Sequence, residues 1–147
     1  MKSPVLDQLN LVVRDMDTTL AFYRLLGLDI PEESVFGTES GAHHVEVAMP
    51  SGFDLSFDSE VLASHYDSGW KPAARSAGRC MMTFRTVSRD DVDARHAELL
   101  AAGHPSAQEP YDAFWGSRHA IVEDPDGNHV GLMSPSDAAR RSAPPPL

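Results

Sequence analysis

Cysteine is nearly absent: Cys80 is the single one. That excludes an intrachain disulfide and argues for a reducing compartment. With no His or base beside it in sequence, Cys80 reads as a buried thiol rather than a nucleophile. Cationic side chains are scarce, with 12 Lys and Arg against 22 Asp and Glu, for a net charge of −10. So acidic a chain is poorly suited to nucleic acid, because phosphate binding draws on Lys and Arg. Its long-range field favours a cationic small molecule. No apolar run approaches the roughly 20 residues that cross a bilayer. The opening Met1-Lys2-Ser3-Pro4-Val5-Leu6-Asp7 lacks the apolar core of a signal peptide. The expectation is a cytoplasmic protein without nucleic-acid or membrane partners. No nucleophile triad is visible, and Gly37, Gly41 and Gly52 read as turn glycines rather than a phosphate loop. Aromatic residues make up only 7% of the chain, so each ring has to be assigned to core or pocket one at a time.

What is present is an internal repeat. Leu6 to Val13 alternates like a strand with two unlike faces. Asp15 or Asp17 can cap the helix that follows, in which Leu20, Phe22, Tyr23 and Leu26 recur at helical spacing and Gly27 ends the run. Strand-like pieces lie at Asp29 to Phe36, His43 to Met49 and Phe53 to Asp58, with Pro50-Ser51-Gly52 turning the second into the third. Ser59 to Gly78 has the composition of a linker, with room for a short helix at Val61 to Tyr66. Then the order restarts. Arg79 to Val87 reads as a strand. Asp90 or Asp91 opens a helix carrying Val92, His96, Leu99 and Leu100, closed by Gly103, and His96 falls on a solvated or partly packed face. Three more strands follow, ending in a hairpin around Asp124-Pro125-Asp126-Gly127-Asn128, where Asp-Gly supplies the positive φ of a tight turn. Ala138 to Leu147 reads as a frayed tail.

The fold class expected is α+β: two tandem βαβββ modules form a curved mixed sheet around a concave cleft, with helices on the convex face. Residues 1–136 form one domain, with module one at about 5–59, a linker at about 60–78 and module two at about 79–135, followed by a flexible tail at 137–147.

This layout resembles the vicinal oxygen chelate superfamily, which contains glyoxalase I, extradiol dioxygenases, fosfomycin resistance enzymes and bleomycin-binding proteins. The resemblance rests on Val12-Val13-Arg14-Asp15 leading to Phe22-Tyr23 and Leu26-Gly27, and on Asp124-Pro125-Asp126-Gly127-Asn128, and it runs from Val5 to Pro135. It implies ligand positions for a metal at Gln8, near Glu46, at Met81 (or Met82), and at Gly131. A thioether is a poor partner for the harder divalent ions, and glycine donates nothing.

Alternation places His44 and Glu46 on one face of their strand and His43 on the other. Met81, Thr83 and Arg85 share a face opposite Met82, Phe84 and Thr86. Arg85 can bind an anion there or pair with Glu46, and Arg118 is a second candidate of the same kind. Phe22, Tyr23 and Phe84 read as core. Trp115, Phe114, Tyr111, Phe57 and Trp70 are candidate walls for a planar ligand. Gly131 and Met133 leave room and a soft apolar wall.

The leading expectation is a metal-free, cofactor-free small-molecule binding protein of the bleomycin resistance type. It would sequester an aromatic or amphiphilic ligand without chemistry through Gln8, Asn10, Phe57, Met81, Thr83, Arg85, Trp115, Arg118 and Met133, and the resemblance implies a homodimer. The rivals are three. One is a lyase, isomerase or dioxygenase holding one divalent metal ion through Gln8, His44 and Glu46. Another is a metal-free enzyme with Glu46 as general base. The last is a regulatory subunit without a ligand.

Overall fold

The computed structural model describes residues 6–72 and 80–144. The chain divides into two compact units, Met1–Ala74 and Arg75–Leu147, here module one and module two. Expectations that fall on Val5, on Arg79, on 73–78 of the linker and on 145–147 of the tail lie outside the described residues.

Module one begins with strand β1, Gln8–Val13, and helix α1, Met16–Leu26. Asp15 is the cap: its carboxylate accepts from the Thr18 amide at 2.9 Å, satisfying one of the donors that a helix start leaves open. Gly27 closes α1 with φ 109°, a conformation that costs a residue with a Cβ. The helix buries Met16, Leu20, Phe22, Tyr23 and Leu26. The expected strand at Asp29 to Phe36 is a correction. Glu32–Ser34 forms a 3-10 turn after Pro31, leaving only the two-residue strand β2, Phe36–Gly37. Pro31, with φ fixed and no amide to donate, favours that turn over a ladder. Strands β3, His43–Ala48, and β4, Asp54–Ser59, complete a sheet of order β1-β4-β3-β2, with β1 parallel to β4. Helix α2, Glu60–Tyr66, follows, capped by Ser59.

Module two repeats the plan with β5, Met81–Arg85; α3, Arg89–Ala101; β6, Ser106–Asp112; β7, Arg118–Glu123; and β8, His129–Met133. Its order is β5-β8-β7-β6, with β5 parallel to β8. Ser88 caps α3, and Asp90 and Asp91 lie in its first turn, where carboxylates meet the positive end of the helix dipole. At the β7–β8 turn Asp124 accepts from the Asp126 and Asn128 amides and from the Asn128 side chain, and Gly127 takes φ 86°.

The mixed α+β class and the tandem βαβββ order are therefore as the sequence implied. Leu55, Phe57, Val45 and Val47 bury against α1 in module one, and Val130, Leu132, Ala120 and Val122 bury on the α3 side in module two. No helix among the described residues is long and apolar enough to cross a membrane. The segment after Ser136 is hydrogen-bonded to the β6–β7 turn as far as Ser142, whose amide donates to the Phe114 carbonyl.

Candidate functional site

Because side chains alternate along a strand, each sheet has a second face turned away from its long helix. In module one that face carries three cross-strand rows: Gln8–Asp54–Ala48, Asn10–Ser56–Glu46 and Val12–Asp58–His44. Asp58 is its hub and is 1% exposed. One carboxylate oxygen accepts from Asn10 Nδ2 at 2.7 Å and from the Tyr66 hydroxyl at 2.8 Å, and the other faces His44 Nδ1 at 2.6 Å. Burial acts to raise the Asp58 carboxyl, but the hydrogen bonds from His44, Asn10 and Tyr66 outweigh it and hold it below the usual range. Burial and Asp58 together push the Tyr66 phenol up to about 12. Gln8 Nε2 donates to Asn10 Oδ1 at 2.6 Å. Ser56, fully buried in the middle row, has a hydroxyl without a partner among the described residues.

The equivalent face of module two is mixed, with its aromatic rings gathered around one histidine. Its rows are Met81–His129–Glu123, Thr83–Gly131–Ile121 and Arg85–Met133–His119, with Tyr111 opposite His119 on β6. His119 is 5% exposed. Its ring meets Trp115 edge-on at 5.6 Å and Tyr111 at 5.7 Å, and Trp115 in turn contacts Tyr111 and Phe114. Desolvation lowers the His119 pKa, and its Nδ1 is buried without a hydrogen-bond partner among the described residues. A neutral imidazole is therefore the resident form at neutral pH.

Gly131 corrects the expectation of free space. A Cβ built there would lie 2.8 Å from Thr83 Oγ1 and 3.2 Å from His119 Nε2. The neighbouring strands lean over it, so the glycine is a close-packing residue.

The structure places Met81, Thr83, Arg85 and Met133 on one face beside Trp115, and Gln8, Asn10, His44 and Glu46 on another. Two candidates move. Phe57 is fully buried against Tyr23 at 4.7 Å between ring centres, so it is core and not a wall. Arg118 is on the α3 side, donating to Asp93 and Asp112 at 2.8 and 2.9 Å. It fixes β7 to α3 rather than offering a free guanidinium. Trp70 is half-buried. Cys80 is exposed, not buried. His96 is buried and bonded to the Ser106 hydroxyl at 2.8 Å, so it is a packed helix residue. Asp58, Tyr66 and His119 were missed. The signal available for Asp58 was its place two residues after Ser56 on the polar face.

A family model for the Glyoxalase/Bleomycin resistance protein/Dioxygenase superfamily matches residues 5–132. The chain belongs to that superfamily. An uncharacterized protein of Mycobacterium bovis is 27% identical over 86% of this chain and 80% of its own length. Among solved structures, a glyoxalase-related enzyme from Fulvimarina pelagi is 20% identical with TM-score 0.71, over 89% of this chain and 88% of its own. A genomically encoded fosfomycin resistance protein from Listeria monocytogenes is 15% identical with TM-score 0.66, over 97% of this chain and all of its own. Both structures share the fold with this superfamily member.

The metal positions implied by the superfamily resemblance are not matched by the donors present. In module two they fall on a thioether and on the crowded Gly131. In module one, β4 lies between β1 and β3, so Gln8 stands two strand spacings, roughly 10 Å, from the strand of Glu46 and His44. Among the described residues no group of three or more His, Cys, Asp or Glu side chains is arranged to hold a metal ion.

Proposed function

We propose that this superfamily member is a metal-free small-molecule binding protein that takes an aromatic or amphiphilic ligand on the second face of module two. The observation that carries this reading is the ring cluster of Tyr111, Phe114 and Trp115 around the neutral His119. It shares its face with Met81, Met133 and the exposed guanidinium of Arg85. Tyr111, Phe114 and Met81 leave large apolar surfaces exposed there, and edge-to-face ring contacts contribute about 0.5–1.5 kcal/mol each beyond area burial. Arg85 would select an acidic or strongly accepting substituent. Sequestration of an antibiotic in the cytoplasm, by a C2 homodimer with two equivalent sites, belongs to the same proposal.

The test is tryptophan fluorescence of a Trp70→Phe variant, which leaves Trp115 as the single reporter, against a panel of planar antibiotics and aromatic acids. Saturable quenching that weakens at least tenfold in Tyr111→Ala and Arg85→Gln supports the reading. A panel that leaves Trp115 unperturbed removes it. One observation favours the rival metal-dependent reading: Asp58 orients His44 as an outer carboxylate orients a ligating imidazole. A stoichiometric divalent ion in the purified protein, lost in Glu46→Ala, would establish the rival.

A further inference from the structure

Tyr66 is held in an unusual way. The residue is 57% exposed, yet its hydroxyl reaches the carboxylate of a residue that is 1% exposed. The phenol thus enters the polar face of module one from solvent, head first, while the ring stays outside. Asn10 and His44 reach the same carboxylate from the neighbouring strands. Tyr66 alone comes from α2, a helix of seven residues, and helices that short have little stability of their own. Next along β4 on this face is the buried Ser56 hydroxyl, which has no partner among the described residues. A buried polar group left unmatched is costly, and an incoming ligand atom can satisfy it.

We propose that Asp58, framed by Asn10 and His44, is a binding subsite for a neutral hydroxyl on a ligand, of the phenol or alcohol class, and that Tyr66 is the chain's own occupant, displaced when ligand binds. The chemistry of the subsite sets its selectivity. An ionised carboxylate is an acceptor only, so the group it takes must donate. Ethers fail because they have no donor. Carboxylates and phosphates fail because they meet Asp58, with Glu46 exposed one row away, as like charges. An aryl hydroxyl matches best, since the resident group is one. This inference is independent of the ligand face on module two.

The test uses p-cresol, the tyrosine side chain as a free molecule, and 4-methylanisole, the same molecule with its donor methylated. Binding to the full chain is followed by the NMR signals of His44 and Asn10, not by Trp115, so failure here and failure of the module-two reading are separate results. Tyr66→Ala should bind p-cresol at least roughly tenfold more tightly than the native chain, the worth of a hydrogen bond to a charged acceptor, and should ignore 4-methylanisole. Adding Asp58→Asn, which keeps an acceptor oxygen but loses the charge, should weaken that binding several-fold. Tyr66→Phe, which keeps the ring and removes only the hydroxyl, carries the test if Tyr66→Ala loses its dispersed amide spectrum; p-cresol should then shift His44 in that variant and not in the native chain. Equal response to the two probes, or equal affinity in native and Tyr66-substituted chains, overturns the proposal and leaves Tyr66 as a tether for α2.

Discussion

Modules one and two share strand order, and β1-β4-β3 matches β5-β8-β7 in register, yet the same place on their second faces is finished in opposite ways. Counted from the turn glycines Gly52 and Gly127, Asp58 and Met133 occupy the same position, and each is paired across the sheet with a histidine, His44 or His119. In module one the histidine has a carboxylate partner and a polar surround. In module two it has a thioether and aromatic edges, and desolvation lowers its pKa. The backbone therefore does not decide what an imidazole is for; the residue across the strand does. One duplicated scaffold presents a hydrogen-bonding surface and a stacking surface.

The comparison is broken most directly at the residue across the strand. Asp58→Ala should cost about 2–3 kcal/mol, because it leaves donors facing a buried gap, whereas Met133→Ala, at a half-buried position, should cost about 1 kcal/mol. Equal losses in denaturant unfolding would mean that the two positions are not distinct in energy. The row below gives the next effect. Gly131→Ala should destabilise by about 1–3 kcal/mol through overpacking against Thr83 and His119, with part of the loss recovered when Thr83→Ala is added. Its counterpart Ser56→Ala should instead be neutral or stabilising by up to about 1 kcal/mol, since it removes a buried hydroxyl that has no partner among the described residues.

The smallest effects are in titration. His119 has its folded pKa below the unfolded value of 6.5, so the unfolded chain binds protons first and stability falls as pH drops below about 6.5. His119→Gln should flatten that slope in pH-dependent melts, leaving the contribution of His104, which desolvation lowers as well. Asp58, also lowered, acts in a separate window: its contribution is fully present above 3.8 and fades as pH falls below it. Met133→Asp should give His119 the partner that His44 has, and its imidazole titration in NMR should move upward.

The repeat, the hairpin turns and the facing of His44, Glu46, Met81, Thr83 and Arg85 were legible because alternation and turn glycines are local signals. Phe57 was misplaced as a wall although the signal was local: Leu55-Ser56-Phe57 alternates, and placing Leu55 in the core places Phe57 there too. Three things were not legible. Pro31-Glu32-Glu33-Ser34 has enough apolar flanking to imitate a strand, but proline turned it. The packing over Gly131 depends on side chains from β5 and β7, so no reading of its own strand reveals it. His119 becomes a buried neutral base only because the β6–β7 turn folds Trp115 and Tyr111 around it, a tertiary fact with no spacing in sequence.

That turn is braced from behind. Gly116 takes φ 94°, and a Cβ there would lie 2.3 Å from the Asp137 carbonyl oxygen. The Gly116 carbonyl accepts from the Asp137 amide, and the Ser136 hydroxyl bonds to the Trp115 carbonyl. Residues 136–142 thus work as a splint on the loop that carries the rings of Phe114 and Trp115. Loosening this splint would reposition both rings while leaving every residue of their own surface unchanged.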